Sequence, residues 1–335
     1  MNILLTSVGR RTYLIEYFKG TLRGKGLVFA SNSVLTHSLK HADRYTITPQ
    51  IYDKEYITFL IDYCLRNKIK AVISLFDIDL LILARNEKEF RANGIRLLIP
   101  DENTVAICND KWLTYKFLNS IDITTPQSYV SLPELKNDIE KGLINYPLVL
   151  KPRWGSGSLG MFHINNKEEL SVLYDKVYCE IFGSYLKHES EQDPASCILI
   201  QKEIKGPEYG LNVLNDLEGN YVTTIVVQKI LMRAGETDVA EIVDNSMFLN
   251  ISKKLSESFR HIGIMSVDCI VSENGDIFVV EMNSRFSGHY PFAHIAGANF
   301  PAQIIKWLEG GATDHGLISA SVGVTGCKEL EPVIL

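Results

Sequence analysis

The sequence predicts a chain in two parts. An N-terminal doubly wound parallel-sheet domain (α/β) covers residues 1–100, and an α+β region covers about 101–310. In the first hundred residues, short apolar runs alternate with segments that are apolar at helical spacing, the pattern of a parallel sheet with helices on both faces. Beyond residue 100 the apolar runs come in pairs, and "EGN" and "ENGD" are turn sequences that join adjacent antiparallel strands. The composition, 46% hydrophobic and 22% charged over 335 residues, is that of a globular protein with two or three packed cores.

"NILLTSVG" is a short strand that stops at Gly9, and in "RRTYLIEYFKGTL" Tyr13, Leu14, Tyr17 and Phe18 recur at helical spacing. "GLVFASN" is a second buried strand, "DKEYITFLIDYCLRN" an amphipathic helix and "IKAVISLF" a third strand. A helix around "LLILARNEKEFRANG" precedes the strand-like "IRLLIP". In the second part, "NDKWLTYKFLNSI" is a helix, "PQSYV" a short extended piece, and "YPLVLKPRWGSGSLGMFHIN" two strands joined by a Gly/Ser-rich loop. "KEELSVLYDKVYCEIF" is a helix and "SYLKHESEQDPAS" a polar surface loop. "CILIQKEI", "YGLNVLND", "YVTTIVVQKI" and "SVDCIVSENGDIFVVEMNSRF" follow as strands, with a helix near 250–262. The last 25 residues carry too few apolar positions for a domain and read as a tail over 311–335.

A formal net charge of −6 excludes a general nucleic-acid binder, which needs a basic face, but leaves room for a local basic pocket. The six cysteines (Cys64, Cys108, Cys179, Cys197, Cys269, Cys327) are scattered, without metal-like spacing, as expected of a reduced cytoplasmic protein. No apolar run is long enough for a membrane span, so no membrane partner is expected.

Gly155, Gly157 and Gly160 spell G-x-G-x-x-G. A dinucleotide fingerprint must follow a strand and open a helix, yet "MFHIN" behind this loop is another strand. The element is a glycine hairpin, whose backbone N–H groups can close on phosphates while Lys151 at the end of the entering strand reaches the same anion. By itself it is equally a plain surface hairpin.

The strand "FVVEMNSRF" narrows the choice. Period-two alternation puts Val279, Glu281, Asn283 and Arg285 on one face and Val280, Met282 and Ser284 on the other. Asp268 lies on the partner strand. Asp268, Glu281 and Asn283 thus converge as hard oxygen donors, which suit Mg²⁺ shared with substrate phosphates, or Mn²⁺ in its place. "ILIQKEIKGPEYGLNV" runs into a polar hinge that suits an adenine edge, with Glu208 placed to accept from ribose hydroxyls. Lys229 and Arg233 add cations before another Gly-containing loop. His289, His294, Arg10 and Arg11 are candidates for an acceptor site, Arg10 and Arg11 because they follow the first strand at the carboxyl edge of a parallel sheet.

In the order "NDK", "LVLKPRWGSGSLG", "ILIQKEIKGPEYG", "RAGET", "VD", "VVEMNSRFSG", the sequence resembles the ATP-grasp superfamily. It is most similar there to stand-alone proteins like the large subunit of carbamoyl phosphate synthetase. The resemblance covers residues 1 to about 310. It implies a pre-ATP-grasp domain over 1–100 and a two-lobed ATP-grasp domain over 101–310, with lobes at about 101–200 and 201–310. It implies ATP and Mg²⁺ as cofactors, with Lys111 and Lys151 on the phosphates under the hairpin of Gly155, Ser156, Gly157 and Ser158. Gln201, Lys202, Glu203 and Ile204 would form the adenine hinge, with Gln201 standing where many relatives carry Glu, and Glu208 would hold the ribose. Asp268, Glu281 and Asn283 would bind metal, and Arg285, Lys151, Lys229 and Arg233 would serve the chemistry.

The implied activity is an ADP-forming carboxylate–amine ligase, acting on a small carboxylate and an amine acceptor and possible as a homodimer. Phosphorylation of bicarbonate or carbamate, or ATP binding without catalysis, stands as the alternative. A protein kinase is excluded, because no H-R-D or D-F-G follows the hairpin.

Overall fold

The computed structural model describes every residue of the chain except Ser156 and Ser158. The N-terminal sheet is built from β1 (Asn2–Thr6), β2 (Val28–Asn32), β3 (Arg44–Ile47), β4 (Ile69–Ser74) and β5 (Arg96–Leu97). They are parallel throughout, in the order β3-β2-β1-β4-β5. Alternate residues point to opposite faces: Ile3, Leu5, Val28, Ala30, Ala71 and Ile73 enter one core, and Leu4, Phe29 and Val72 the other. Burial on both faces is why these strands read as unbroken apolar runs. The edge strand β3 was not apparent in the sequence, because its residues are largely exposed. The helix expected around residues 80–94 is two, Asp77–Arg85 and Glu87–Ala92.

A four-stranded antiparallel sheet follows, formed by β6 (Ser128–Tyr129), β7 (Leu148–Pro152), β8 (Phe162–Ile164) and β9 (Ile198–Lys202) in the order β6-β9-β7-β8. β7 and β8 pair as the hairpin that the sequence predicts around the glycines. Helix Lys167–Phe182 backs this sheet. The segment expected to be a polar surface loop contains a short helix, Lys187–Ser190, with Glu189 and Ser190 buried.

The third sheet has six antiparallel strands: β10 (Glu208–Asn215), β11 (Tyr221–Arg233), β12 (Glu236–Val243), β13 (Gly263–Val271), β14 (Ile277–Asn283) and β15 (Thr325–Cys327). Their order is β14-β13-β10-β11-β12-β15. The tail therefore contributes an edge strand, β15 on β12. Leu214, Ile225, Val227, Phe286 and Tyr290 of this part share one core with Ile3, Leu5 and Phe18 of the first. Phe18 meets Phe286 edge-on, with ring centroids 6.1 Å apart. That packing holds the helix Thr12–Leu22, which follows β1, against the segment just after β14. Among the described residues, no helix is long and apolar enough to cross a membrane.

Candidate functional site

The site begins with a fastening at the base of the glycine hairpin. Asp110 caps helix Lys111–Ser120 by accepting from the backbone of Trp112 and Leu113. It also accepts two hydrogen bonds from Arg153, at 2.8 Å from Nε and 2.7 Å from Nη2. A helix start and a strand end are thereby clamped together, and the first residue of one, Lys111, comes to face the last part of the other. Lys111 Nζ donates to the carbonyl of Gly155 and lies 3.8 Å from Glu281.

Lys151, on β7, is buried and donates to Gln201 Oε1 at 2.8 Å, while Gln201 Nε2 donates to Ser128 Oγ at 2.9 Å. Burial lowers the Lys151 ammonium to a pKa of about 8; Glu281 opposes that shift and Lys111 adds to it. The Gln201 side chain is therefore engaged with Lys151, and Lys202, at the end of β9, with Glu203 and Ile204 just past it, continues along the cavity edge.

The sheet opposite supplies the acidic groups. Gly210, Asp268 and Glu281 stand in one row across β10, β13 and β14, with Asn212, Ser266 and Asn283 in the next. A bulge between positions 268 and 269 shifts the pairing from Glu281 to Val279 and corrects the expected face of β14. Val279 and Met282 enter the core, whereas Val280, Glu281, Asn283 and Arg285 line the cavity. Simple alternation had placed Val279 with Glu281.

Lys229 Nζ lies 2.9 Å from Asp268 and 3.7 Å from Glu208. Burial alone would lower its pKa, but the Asp268 and Glu208 carboxylates prevail and raise it. Asp268 is pulled the other way: burial would raise it, and Lys229 outweighs that, leaving it below the usual carboxylate range. His289 is buried 3.8 Å from Asp268, with neither ring nitrogen hydrogen-bonded. Burial pushes it down to about 3, so it is neutral at pH 7. A Cβ on Gly210 would lie 2.6 Å from that ring, so glycine there is what lets His289 pack beneath the row.

Arg285 closes the row at the N-terminal domain. It holds Asp77 through Nε and Nη2 and donates to Asn283 Oδ1 at 3.1 Å. Burial would depress the guanidinium, and Asp77 more than offsets it.

One cavity of about 610 Å³ gathers these groups. Gln201 to Ile204 and Glu208 line it, as do Lys111, Lys151, Gly155, Gly157, Lys229, Asp268, Glu281, Asn283, Arg285 and His289, with Arg11 from the parallel sheet. Ser156 and Ser158 lie outside the described residues. Arg233 stands apart, exposed near the tip of the β11–β12 hairpin and paired with Asp238 at 2.5 Å. Arg10 is exposed, and His294 stacks on Tyr17 away from the cavity.

Sequence reasoning did not single out Asp77, Asp110 or Arg153. Asp110 carried a legible signal as a helix cap directly before Lys111. Asp77 carried none.

Asp268 and Glu281 offer carboxylates and Asn283 a carboxamide oxygen, from adjacent rows of one sheet. Asp268 Oδ1 is closed to solvent without an aligned hydrogen bond, although Lys229 neutralises it. Among the described residues no three His, Cys, Asp or Glu side chains cluster as a self-sufficient metal cage. The set fits a magnesium ion that takes its remaining ligands from phosphates and water.

Residues 108–289 match the ATP-grasp domain family, and residues 3–98 match the PylC-like N-terminal domain. The first match spans more than half of the chain, which therefore belongs to the ATP-grasp family. A curated relative is the carbamoyl phosphate synthase large chain of Thermoanaerobacter sp. (strain X514). It is 24% identical over 209 residues, covering 59% of this chain and 18% of the relative. The chain thus spans about a fifth of the length of such relatives. Solved structures that share the fold include the following two. An L-amino acid ligase from Bacillus licheniformis has a TM-score of 0.70 at 20% identity, covering 95% of this chain and 77% of that one. N5-carboxyaminoimidazole synthetase from Staphylococcus aureus, complexed with ADP, has a TM-score of 0.72 at 14% identity, covering 96% and 79%.

Proposed function

We propose that the chain is an ADP-forming ligase that activates a small carboxylate as an acyl phosphate, which an amine then captures. The observation that carries this reading is the facing of Lys111 and Lys151 with Asp268, Glu281 and Asn283 across one cavity, with Arg285 at the end of the acidic row. Cations on one side and hard oxygen donors on the other suit a triphosphate between them. ATP-grasp membership supports the nucleotide, and the hinge from Gln201 to Ile204 with Glu208 is the end suited to adenine and ribose.

Phosphoryl transfer asks for positioning and charge neutralisation more than for a nucleophilic side chain. A carboxylate oxygen of the substrate attacks the γ-phosphorus, the bond to the β-phosphate oxygen breaks, and ADP leaves. Lys111 and Lys151 hold the phosphate oxygens, and Arg285 meets the charge that develops at the acyl end. Asp268, Glu281 and Asn283 would hold Mg²⁺, which when bound neutralises phosphate charge. Lys229 keeps Asp268 ionised for that task. The hairpin around Gly155 and Gly157 covers the phosphates and keeps water from the acyl phosphate. An amine then attacks the acyl carbon and phosphate departs.

The free state of all six cysteines, four of them buried, supports a reducing compartment such as the cytoplasm. The test incubates the chain with Mg-ATP and a panel of amino acids and small carboxylates. ADP plus phosphate, dependent on a panel member, is expected; AMP plus pyrophosphate would overturn the reading.

A further inference from the structure

We propose that Arg11 binds an anionic group of the second substrate that stays out of the reaction, a carboxylate or a phosphate. This rests on the ligase reading above and names a requirement on the substrate of that same cavity.

Arg11 sits just past the turn that follows β1, at the carboxyl edge of the parallel sheet, and its side chain lines the cavity. Among the described residues its guanidinium makes no hydrogen bond and lies within 4 Å of no carboxylate. The other arginines near the cavity are committed: Arg285 to Asp77, and Arg153 to Asp110 and Asp193. The acidic group beside Arg11 on the cavity wall, Glu236, is held by Lys328 of the C-terminal segment at 3.0 Å. Gly288 permits that closure, since a Cβ there would lie 3.0 Å from Glu236 Oε2 and 3.5 Å from Lys328 Nζ.

Partly buried and within the field of Arg285, the Arg11 guanidinium has a lowered pKa, a situation an incoming anion relieves. A planar fork of five donors matches a carboxylate or phosphate with two hydrogen bonds at once. The lysines assigned to the nucleotide phosphates come from other elements, the helix after Asp110 and β7. The anion at Arg11 is therefore a different one, carried by the molecule that enters beside the N-terminal domain. Substrates whose only anionic group is the one that reacts are disfavoured.

The test separates this claim from turnover. Wild-type protein loaded with Mg-AMP-PNP is titrated calorimetrically with the α-amino acids of both configurations, succinate, glutarate and 3-phosphonopropionate. Each is run beside the amide or ester that removes the anion. At least one free anion should bind at least about 30-fold tighter than its neutral partner. Arg11→Met should abolish that difference and leave Mg-AMP-PNP affinity within about twofold, and methylguanidinium should partly restore Arg11→Ala. The carboxylate and phosphonate arms distinguish the two sources of the anion. The proposal is overturned if no free anion outbinds its neutral partner, if Arg11→Met binds as the wild type does, or if the variant loses nucleotide affinity in parallel. ADP release, assayed separately, reports on the ligase reading whichever way the binding data fall.

Discussion

Arg285 and Asp77 form a two-pronged ion pair across 208 positions of chain, with Nε at 2.9 Å and Nη2 at 2.5 Å from the two carboxylate oxygens. One residue lies two positions past the strand that carries Glu281 and Asn283, and the other opens a helix of the parallel-sheet domain. The pair therefore fixes the acidic row of the cavity relative to the domain that supplies Arg11.

Removing the carboxylate tests that coupling. Asp77→Ala leaves a buried guanidinium without its counter-charge, which typically costs about 3–5 kcal/mol. Urea unfolding should report a loss of that order, and turnover should fall by more than tenfold because Arg285 is no longer held. Asp77→Asn keeps an acceptor for one prong and should lose less. Unchanged stability together with unchanged turnover in Asp77→Ala would show that the pair is incidental.

Lys151 makes a pH-dependent prediction with two opposite signs. Its folded pKa, about 8, lies below the ordinary lysine value of 10.5. Below pH 8 the buried ammonium is charged in both states and its desolvation weakens the fold. Between pH 8 and 10.5 the unfolded chain binds more protons, so the stability of the nucleotide-free protein should rise, by a total of about 3 kcal/mol for this group. Phosphate binding needs the charged form, so Mg-ATP affinity should fall over the same window. Subtracting the profile of Lys151→Met isolates the group. Gln201→Glu, which sets a carboxylate against the ammonium, should move the loss of affinity to higher pH. A flat difference profile would refute the depressed pKa.

Glu281 is a quarter exposed and Asp268 about a third, enough for both to face a ligand. Glu281→Gln keeps shape and removes charge. It should cut Mg-ATP turnover by at least about 100-fold while moving the midpoint of thermal unfolding by only a few degrees. Wild-type turnover in this variant would remove Glu281 from the metal set.

The sequence revealed whatever depends on near neighbours. Unbroken apolar runs marked β1, β2 and β4 because both faces of the parallel sheet are buried. The hairpin at residues 148–164 was legible because a strand, not a helix, follows the glycines. Four features resisted for physical reasons. The bulge that turns Val279 into the core is invisible to strict alternation, since one extra residue resets the period. The edge strand β15 is three residues long, and its pairing with β12 is tertiary. Arg233 has the composition of a ligand-binding cation, yet β11 carries it out along the hairpin to Asp238. Asp77 shows the limit most clearly, because only the folded chain brings it to Arg285.

Gly210 ties the buried histidine to the acidic row. Its missing side chain makes room for His289, and an added Cβ would fall 2.6–2.8 Å from three ring atoms. Gly210→Ala must therefore displace the imidazole or the strand, at about 1–3 kcal/mol by analogy with overpacked cores. Since β10 continues into Glu208 on one side and pairs with Asp268 on the other, the strain falls on the site itself. Turnover should drop with the stability. The double variant Gly210→Ala, His289→Ala should recover most of the unfolding midpoint, because the smaller side chain vacates the space. Failure of that rescue would mean that the close approach of Gly210 and His289 does not govern the row.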